Sequence, residues 1–287
     1  MRAAARVASR DWQDRMKVNG AELYYQVQGT GPVVLMIHGT GADSGCYEPL
    51  AALLASDFTV VTYDRRGWSR SPRPVGWIKT TVEEHADDAA WLLKAIGHPP
   101  VVVFGSSSGA LIALDLILRH PDVVRGLIVH EPSLFTCLPA DFVREQFAEL
   151  SPIIEQAISA GGHRAAQQAL LEAWAGDDGL EAIDTLQLER WLGNADVMFE
   201  YEFPAMLLGY QPDPVALAAA HVPVKVLRAA ESHSINAAAA EWLAGQVNSE
   251  LVTAAGAHLA YCTRPGEFAG TLHPLLEEVA GSHPAGA

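Results

Sequence analysis

Positive charge is scarce in this sequence. The 287 residues include 19 lysines and arginines against 34 acids, a formal net charge of −15 at pH 7. A surface of that sign repels phosphate backbones and anionic headgroups, so neither nucleic acid nor a membrane is expected as a partner. Cysteine is scarce too. Cys46, Cys137 and Cys262 lie far apart with no C-x-x-C pair, which argues against a disulfide framework and a thiolate zinc site. They read as small hydrophobes. No apolar run approaches the ~18 residues of a spanning helix. Met1 to Trp12 is rich in alanine and arginine without a continuous apolar stretch, so it reads as an exposed tail rather than a secretory signal, and the protein as cytoplasmic. Neither G-x-G-x-x-G nor a Gly-Lys-Ser phosphate loop is present, which disfavours a dinucleotide site. No cofactor and no metal are expected. The expected partner is a small-molecule substrate, and a homodimer is compatible with the sequence.

What is present is apolar residue in short bursts. Hydrophobic residues make up 49% of the chain, enough for a large core. Asn19-Gly20 is a hairpin turn signal between Val18 and the loosely alternating segment Glu22 to Val27. Short, predominantly apolar runs follow at Val33 to Ile37, Phe58 to Tyr63, Val101 to Phe104, Leu127 to Val129, Val222 to Leu227 and Glu250 to Thr253. Runs without alternation suit strands buried on both faces of a parallel sheet. Helical patterns lie between them. Thr81 and Glu84 form a capping-box signature before an apolar face of Val82, Ala86, Ala89, Leu93 and Ile96, ended by Gly97. Ala110 to Arg119, Ala237 to Val247 and Pro265 to Val279 are further helices. Alternating strands and helices predict a doubly wound α/β sheet with right-handed crossovers.

One region breaks the alternation. From 134 to 214 no convincing strand appears, only amphipathic helices with aromatic residues gathered toward the end. The expected organisation is therefore a core of residues 1–133 and 215–287 with a helical cap of 134–214 inserted after the sixth strand. Trp191, Phe203, Met206 and Tyr210, with Leu259 from the core, are the expected substrate contacts.

Gly105-Ser106-Ser107-Ser108-Gly109 fits G-x-S-x-G, after a strand and before a helix. Glycines at the two flanking positions let chains pass closely around a strained turn. Ser107 would project from it as a nucleophile, with the Ser108 N–H at a helix start aimed at a developing oxyanion. Such a serine needs a base. His258 follows the last strand, on the correct side of Ser107 in chain order. His233 is the main competitor. His38 precedes a glycine and reads as a turn former, while His85, His98, His120, His163, His221, His273 and His283 sit on or beside helices. The acid that orients the base has two candidates, Glu131 after Leu127 to Val129 and Glu231 after Val224 to Leu227, and both preserve the order Ser, acid, His. His38-Gly39-Thr40-Gly41 follows another strand at the same edge, so the N–H of Gly39 or Thr40 can join Ser108 in an oxyanion hole.

These residues together resemble the α/β-hydrolase superfamily over nearly the whole chain. The carriers are His38-Gly39, Asp64 to Ser71, Gly105 to Gly109, Asp122 to Pro132 and Gly256 to Pro265. A narrower likeness, in Gly105 to Ala110 and His130-Glu131, is to the zearalenone lactonases, whose acid is a glutamate in the loop after the strand that follows the nucleophile helix. That likeness implies Glu131 rather than Glu231 as the acid. The chain departs from that family at His38, where an aspartate precedes the oxyanion glycine. Serine at 107 argues against the epoxide hydrolases and haloalkane dehalogenases, which use an aspartate nucleophile. Hydroxynitrile lyases, C–C bond hydrolases and cofactor-free haloperoxidases share the serine triad, and a hydrolase-fold ligand receptor with slow turnover is a further alternative. The expected activity is hydrolysis of an ester or lactone of a neutral, mid-sized, largely apolar substrate through an acyl-enzyme.

Overall fold

The computed structural model describes residues 11–97 and 100–281. Most of the proposed N-terminal tail, His98 and His283 lie outside the described residues. Asp11 and Trp12, assigned to that tail, instead open the first strand. Strand β1 (Asp11–Val18) turns at Asn19-Gly20 and returns as β2 (Ala21–Gly29), with Val18 opposite Ala21. Both turn residues have positive φ, 45° and 75°, as a two-residue primed turn demands.

The remaining apolar runs become β3 (Val33–Ile37), β4 (Thr59–Tyr63), β5 (Val101–Ser106), β6 (Val124–His130), β7 (Val224–Ala229) and β8 (Leu251–Ala254). The eight strands form one sheet in the order β1-β2-β4-β3-β5-β6-β7-β8. All pairings from β4 to β8 are parallel, while β2 runs antiparallel to both neighbours. Alternate residues of each central strand enter different cores. Val101 and Val103 pack with helices α2 (Val82–Ile96), α3 (Ser108–Arg119) and α7 (Ser234–Gln246). Val102 and Phe104 pack with α1 (Glu48–Leu54), α8 (Ala260–Thr263) and α9 (Pro265–Gly281). Burial on both faces is why these strands read as unbroken apolar runs.

Helix α2 forms half of its expected capping box. The Thr81 hydroxyl accepts from the Glu84 N–H at 3.1 Å, but the Glu84 side chain binds Arg66 and Trp77 instead of reaching back. Gly97 closes the helix at φ 81°. Between β6 and β7 lies a helical insertion. It comprises α4 (Ala140–Ala175), broken at Gly161-Gly162 where the backbone leaves helical angles, then α5 (Thr185–Leu192), a π-helical stretch Val197–Leu207 and α6 (Pro214–Ala218). Among the described residues, no helix is long and apolar enough to cross a membrane.

Candidate active site

The loops that leave the C-terminal ends of β3, β5, β6, β7 and β8 meet at one edge of the sheet, where open α/β sheets place their sites. The loop after β5 is the sharpest. Ser107 sits at φ 56° and ψ −124° between strand and helix. That conformation is strained for a residue with a Cβ and persists only where its surroundings impose it. The surroundings are tight. A Cβ on Gly105 would lie 2.6 Å from the Gly109 carbonyl oxygen, and one on Gly109 would lie 2.2 Å from that of Ile37. Glycine at both positions follows from these distances. The turn is also tied to the loop after β6: the Ser107 N–H donates to the His130 carbonyl (3.0 Å) and the Ser133 N–H to the Ser107 carbonyl (3.3 Å).

Glu131 and His258 come together from the ends of β6 and β8. The imidazole Nδ1 lies 2.5 Å from Glu131 Oε2. Oε1 of the same carboxylate accepts from the Ala229 N–H at 3.0 Å and from the Ser232 hydroxyl. Glu131 is fully buried and has φ 44°. Burial alone would raise its pKa, but the hydrogen bond and charge of His258, with His130 and Ser232, hold it well below the usual carboxylate range. The carboxylate therefore fixes the tautomer that leaves His258 Nε2 free to act as a base. The Asn236 amide also approaches Nδ1, at 3.2 Å. His130 packs beside His258 with ring centroids 5.9 Å apart, and burial pushes its pKa down to about 4.

Glu231 takes another place. Its side chain is 43% exposed and lies 3.6 Å from Arg264. His233 is exposed at the start of α7, with Nε2 on the Ala173 carbonyl at 3.1 Å. His38 behaves as a turn former: fully buried, its Nδ1 donates to the Gly39 carbonyl (2.8 Å) and its Nε2 accepts the Arg65 N–H (3.1 Å).

The loop after β3 lies against the elbow. A Cβ on Gly39 would fall 2.8 Å from Ser107 Cβ, so only glycine allows this approach. The Ser108 N–H is the first of α3 and has no intrahelical acceptor. Thr40 reaches the Ser108 hydroxyl and Glu202 Oε2, each at 2.7 Å. Beneath it Arg65 grips Glu202 through Nη1 (2.5 Å) and Nη2 (3.1 Å), both side chains fully buried, and Trp68 Nε1 adds a third donor at 2.7 Å.

A cavity of about 150 Å³ opens over Ser107. Thr40, Ser107, Ser133, Gln146, Glu149, His233, Asn236 and His258 are its polar lining, while Phe147, Leu170, Trp174, Phe203 and Ile235 are among its apolar walls. The Ser107 and Ser133 hydroxyls are 3.1 Å apart. Of the five expected substrate contacts, only Phe203 lines this cavity. The other four are corrected by their packing. Trp191 is fully buried, with its indole N–H on Asp43 at 2.9 Å. Tyr210 turns inward to Asp115 (3.3 Å). Met206 joins the core with its sulfur 4.0 Å from Arg65, and Leu259 packs in the layer of α8 and α9. Each meets an apolar or hydrogen-bonding demand of the body, which an aromatic-rich pattern does not distinguish from a cavity wall.

Ser133, Asn236 and Glu202 are not singled out by the sequence. The first two are ordinary polar loop and helix residues there. Glu202 carries a partial signal, as one of two acids with Glu200 in the otherwise largely apolar stretch Val197–Leu207, where a buried acid implies a buried partner.

An eight-stranded, mostly parallel sheet with a helical insertion and an elbow serine over its edge defines the α/β hydrolases. The chain belongs to that family and is a hydrolase: the alpha/beta hydrolase fold matches residues 32–154, and a hydrolase relative aligns over nearly the whole chain. It is similar to the uncharacterized hydrolase YraK of Bacillus subtilis (strain 168), with 38% identity over 270 residues that cover 92% of this chain and 95% of that protein. Among solved structures it is similar in fold to Est816, described as an N-acyl homoserine lactone degrading enzyme. That pair shares 21% identity at a TM-score of 0.70, covering 91% of this chain and 99% of the other. It is likewise similar to the enol-lactonase from Burkholderia xenovorans LB400, at 21% identity and a TM-score of 0.69, covering 92% of this chain and 100% of the other.

Proposed function

We propose that the protein hydrolyses carboxylic esters or lactones through Ser107, His258 and Glu131. The observation that carries this reading is the 2.5 Å contact of a buried Glu131 with His258 Nδ1, on the same cavity that Ser107 enters from its strained elbow. The Ser107 hydroxyl exchanges its Ser133 partner for His258 Nε2, which takes the proton as the oxygen attacks the carbonyl. The oxyanion that forms is held by N–H groups of the Gly39-Thr40 loop and Ser108. His258 then protonates the leaving alcohol, which in a lactone remains part of the acyl group. A water attacks the acyl-enzyme, with His258 again as base, and releases the acid and Ser107. Glu131 stays ionised throughout and stabilises the imidazolium.

The apolar walls favour a neutral group over a charged one. A cavity of this volume beside Ser107 suits a compact ring or short chain. That size fits a small lactone or aryl ester better than the macrocycle of a zearalenone-type substrate. The insertion between β6 and β7 serves as the lid, since Phe147, Leu170, Trp174 and Phe203 come from it. The test is turnover of a p-nitrophenyl ester panel and of small lactones by the wild type and Ser107→Ala. Loss of turnover in the variant supports the reading, and retained turnover overturns it.

A further inference from the structure

The buried ion pair of Arg65 and Glu202 is costly and needs a reason. Two charges taken out of water recover their desolvation penalty only in part, and an apolar pair of the same volume is often at least as stable. Glu202 is nevertheless fully buried, and it arrives from the insertion rather than from the body of the sheet. It is carried inward by the π-helical stretch. Val197 and Met198, Glu202, and Met206 and Leu207 are its buried residues, recurring every four to five positions as i→i+5 winding requires.

The contacts of the pair converge on the candidate oxyanion loop. Arg65 Nη2 donates to the Gly39 carbonyl at 3.2 Å as well as to Glu202. The Thr40 hydroxyl has one hydrogen and two neighbours. A carboxylate only accepts, so Thr40 donates to Glu202 Oε2 and accepts from the Ser108 hydroxyl. Glu202, Thr40 and Ser108 thus form one directed chain of hydrogen bonds. Its last two members, Thr40 and Ser108, belong to the segments that supply the N–H donors of the proposed oxyanion hole. His85 Nε2 stands 3.8 Å from Glu202 Oε1 and completes the surround.

We propose that Glu202 is a positioning residue, a lid carboxylate that sets the oxyanion hole through the Thr40 and Ser108 hydroxyls. The inference rests on the hydrolase mechanism proposed above. An oxyanion hole works because its donors are fixed before charge develops, and a misplacement of about 1 Å costs up to ~10²-fold in rate. Because the lid supplies Glu202, the hole is complete only when the insertion is docked on the sheet.

Thr40→Val tests this directly, because it cuts the chain while leaving the backbone N–H groups and the Arg65–Glu202 pair in place. With a p-nitrophenyl ester, kcat is expected to fall about 10- to 100-fold with KM within about twofold of wild type. Thr40→Ser is expected to restore kcat to within about threefold. Glu202→Gln is expected to lower kcat, and Thr40→Val/Glu202→Gln to be no slower than the slower single variant, since both break one chain. If Glu202→Gln does not fold, the Thr40 pair decides alone. A folded Thr40→Val enzyme with wild-type kcat, or a loss in KM alone, overturns the proposal. Ser107→Ala measured alongside separates the two failures: its retained turnover overturns the hydrolase mechanism itself.

Discussion

Glu131 Oε2 and His258 Nδ1 meet at 2.5 Å although 127 positions separate them in the chain. The contact supports the proposed choice of Glu131 over Glu231 as the acid. Glu131→Gln keeps the shape and removes the charge and the correct tautomer of His258, so kcat for a p-nitrophenyl ester is expected to fall by about 10³- to 10⁴-fold. Glu231→Gln, at the exposed pair with Arg264, is expected to stay within about threefold. Steady-state kinetics of the two variants side by side check this.

Both glutamates stand in loops at the same sheet edge, which is why the residues alone left the acid open. Side-chain direction favours Glu131, which turns inward at φ 44° and is capped by Ala229 and Ser232, while Glu231 is 43% exposed beside Arg264. Ser107 and its glycines were legible because steric demand fixes them at constant spacing. His258 was legible because chain order in the fold fixes its loop. Trp191 and Tyr210 were misassigned because apolar periodicity reports burial but not what lies on the other side. Glu202 was only partly legible, since its stretch carries two acids and its inward face follows i→i+5 winding, so the pattern does not say which acid is buried.

The contact between Gly39 and the elbow predicts a catalytic cost for a single methyl. Gly39→Ala would put a Cβ 2.8 Å from Ser107 Cβ and push the oxyanion loop off the nucleophile. A fall in kcat of about 10²-fold is expected. Kinetics together with a thermal melt show whether the loss is catalytic or a failure to fold.

The aromatic residues of the insertion divide into walls and struts. Phe203→Ala is expected to raise KM about tenfold, because its ring lines the cavity. Trp191→Phe is expected to leave KM unchanged and to lower stability by about 1 to 3 kcal/mol, because Asp43 loses an indole donor while keeping Arg190. Urea unfolding and kinetics on both variants check the division.

His130 gives the fold an acid sensitivity. Its folded-state pKa is pushed down by burial to about 4, below the ordinary value of about 6.5. As pH falls between these values the unfolded chain takes up the proton first, so stability present above about pH 6.5 is lost progressively down to about pH 4. The loss reaches about 3 kcal/mol for this one group. Asp88, raised to about 6 by burial despite Arg66, acts in the opposite direction as pH rises toward 6. It is common to wild type and variant, so the difference between them isolates His130. His130→Gln is expected to show a shallower fall in urea midpoint from pH 7 to pH 4.5, and identical slopes would contradict the assignment.

The proposed mechanism makes Ser107 the nucleophile of a serine hydrolase. Its most direct measurement is reaction with a fluorophosphonate, followed by intact mass and peptide mapping. One adduct per chain is expected, on the peptide carrying Ser107, with turnover falling in proportion to labelling and no adduct in Ser107→Ala. Full turnover from an enzyme completely labelled at Ser107, or an active enzyme labelled at another residue, would contradict it.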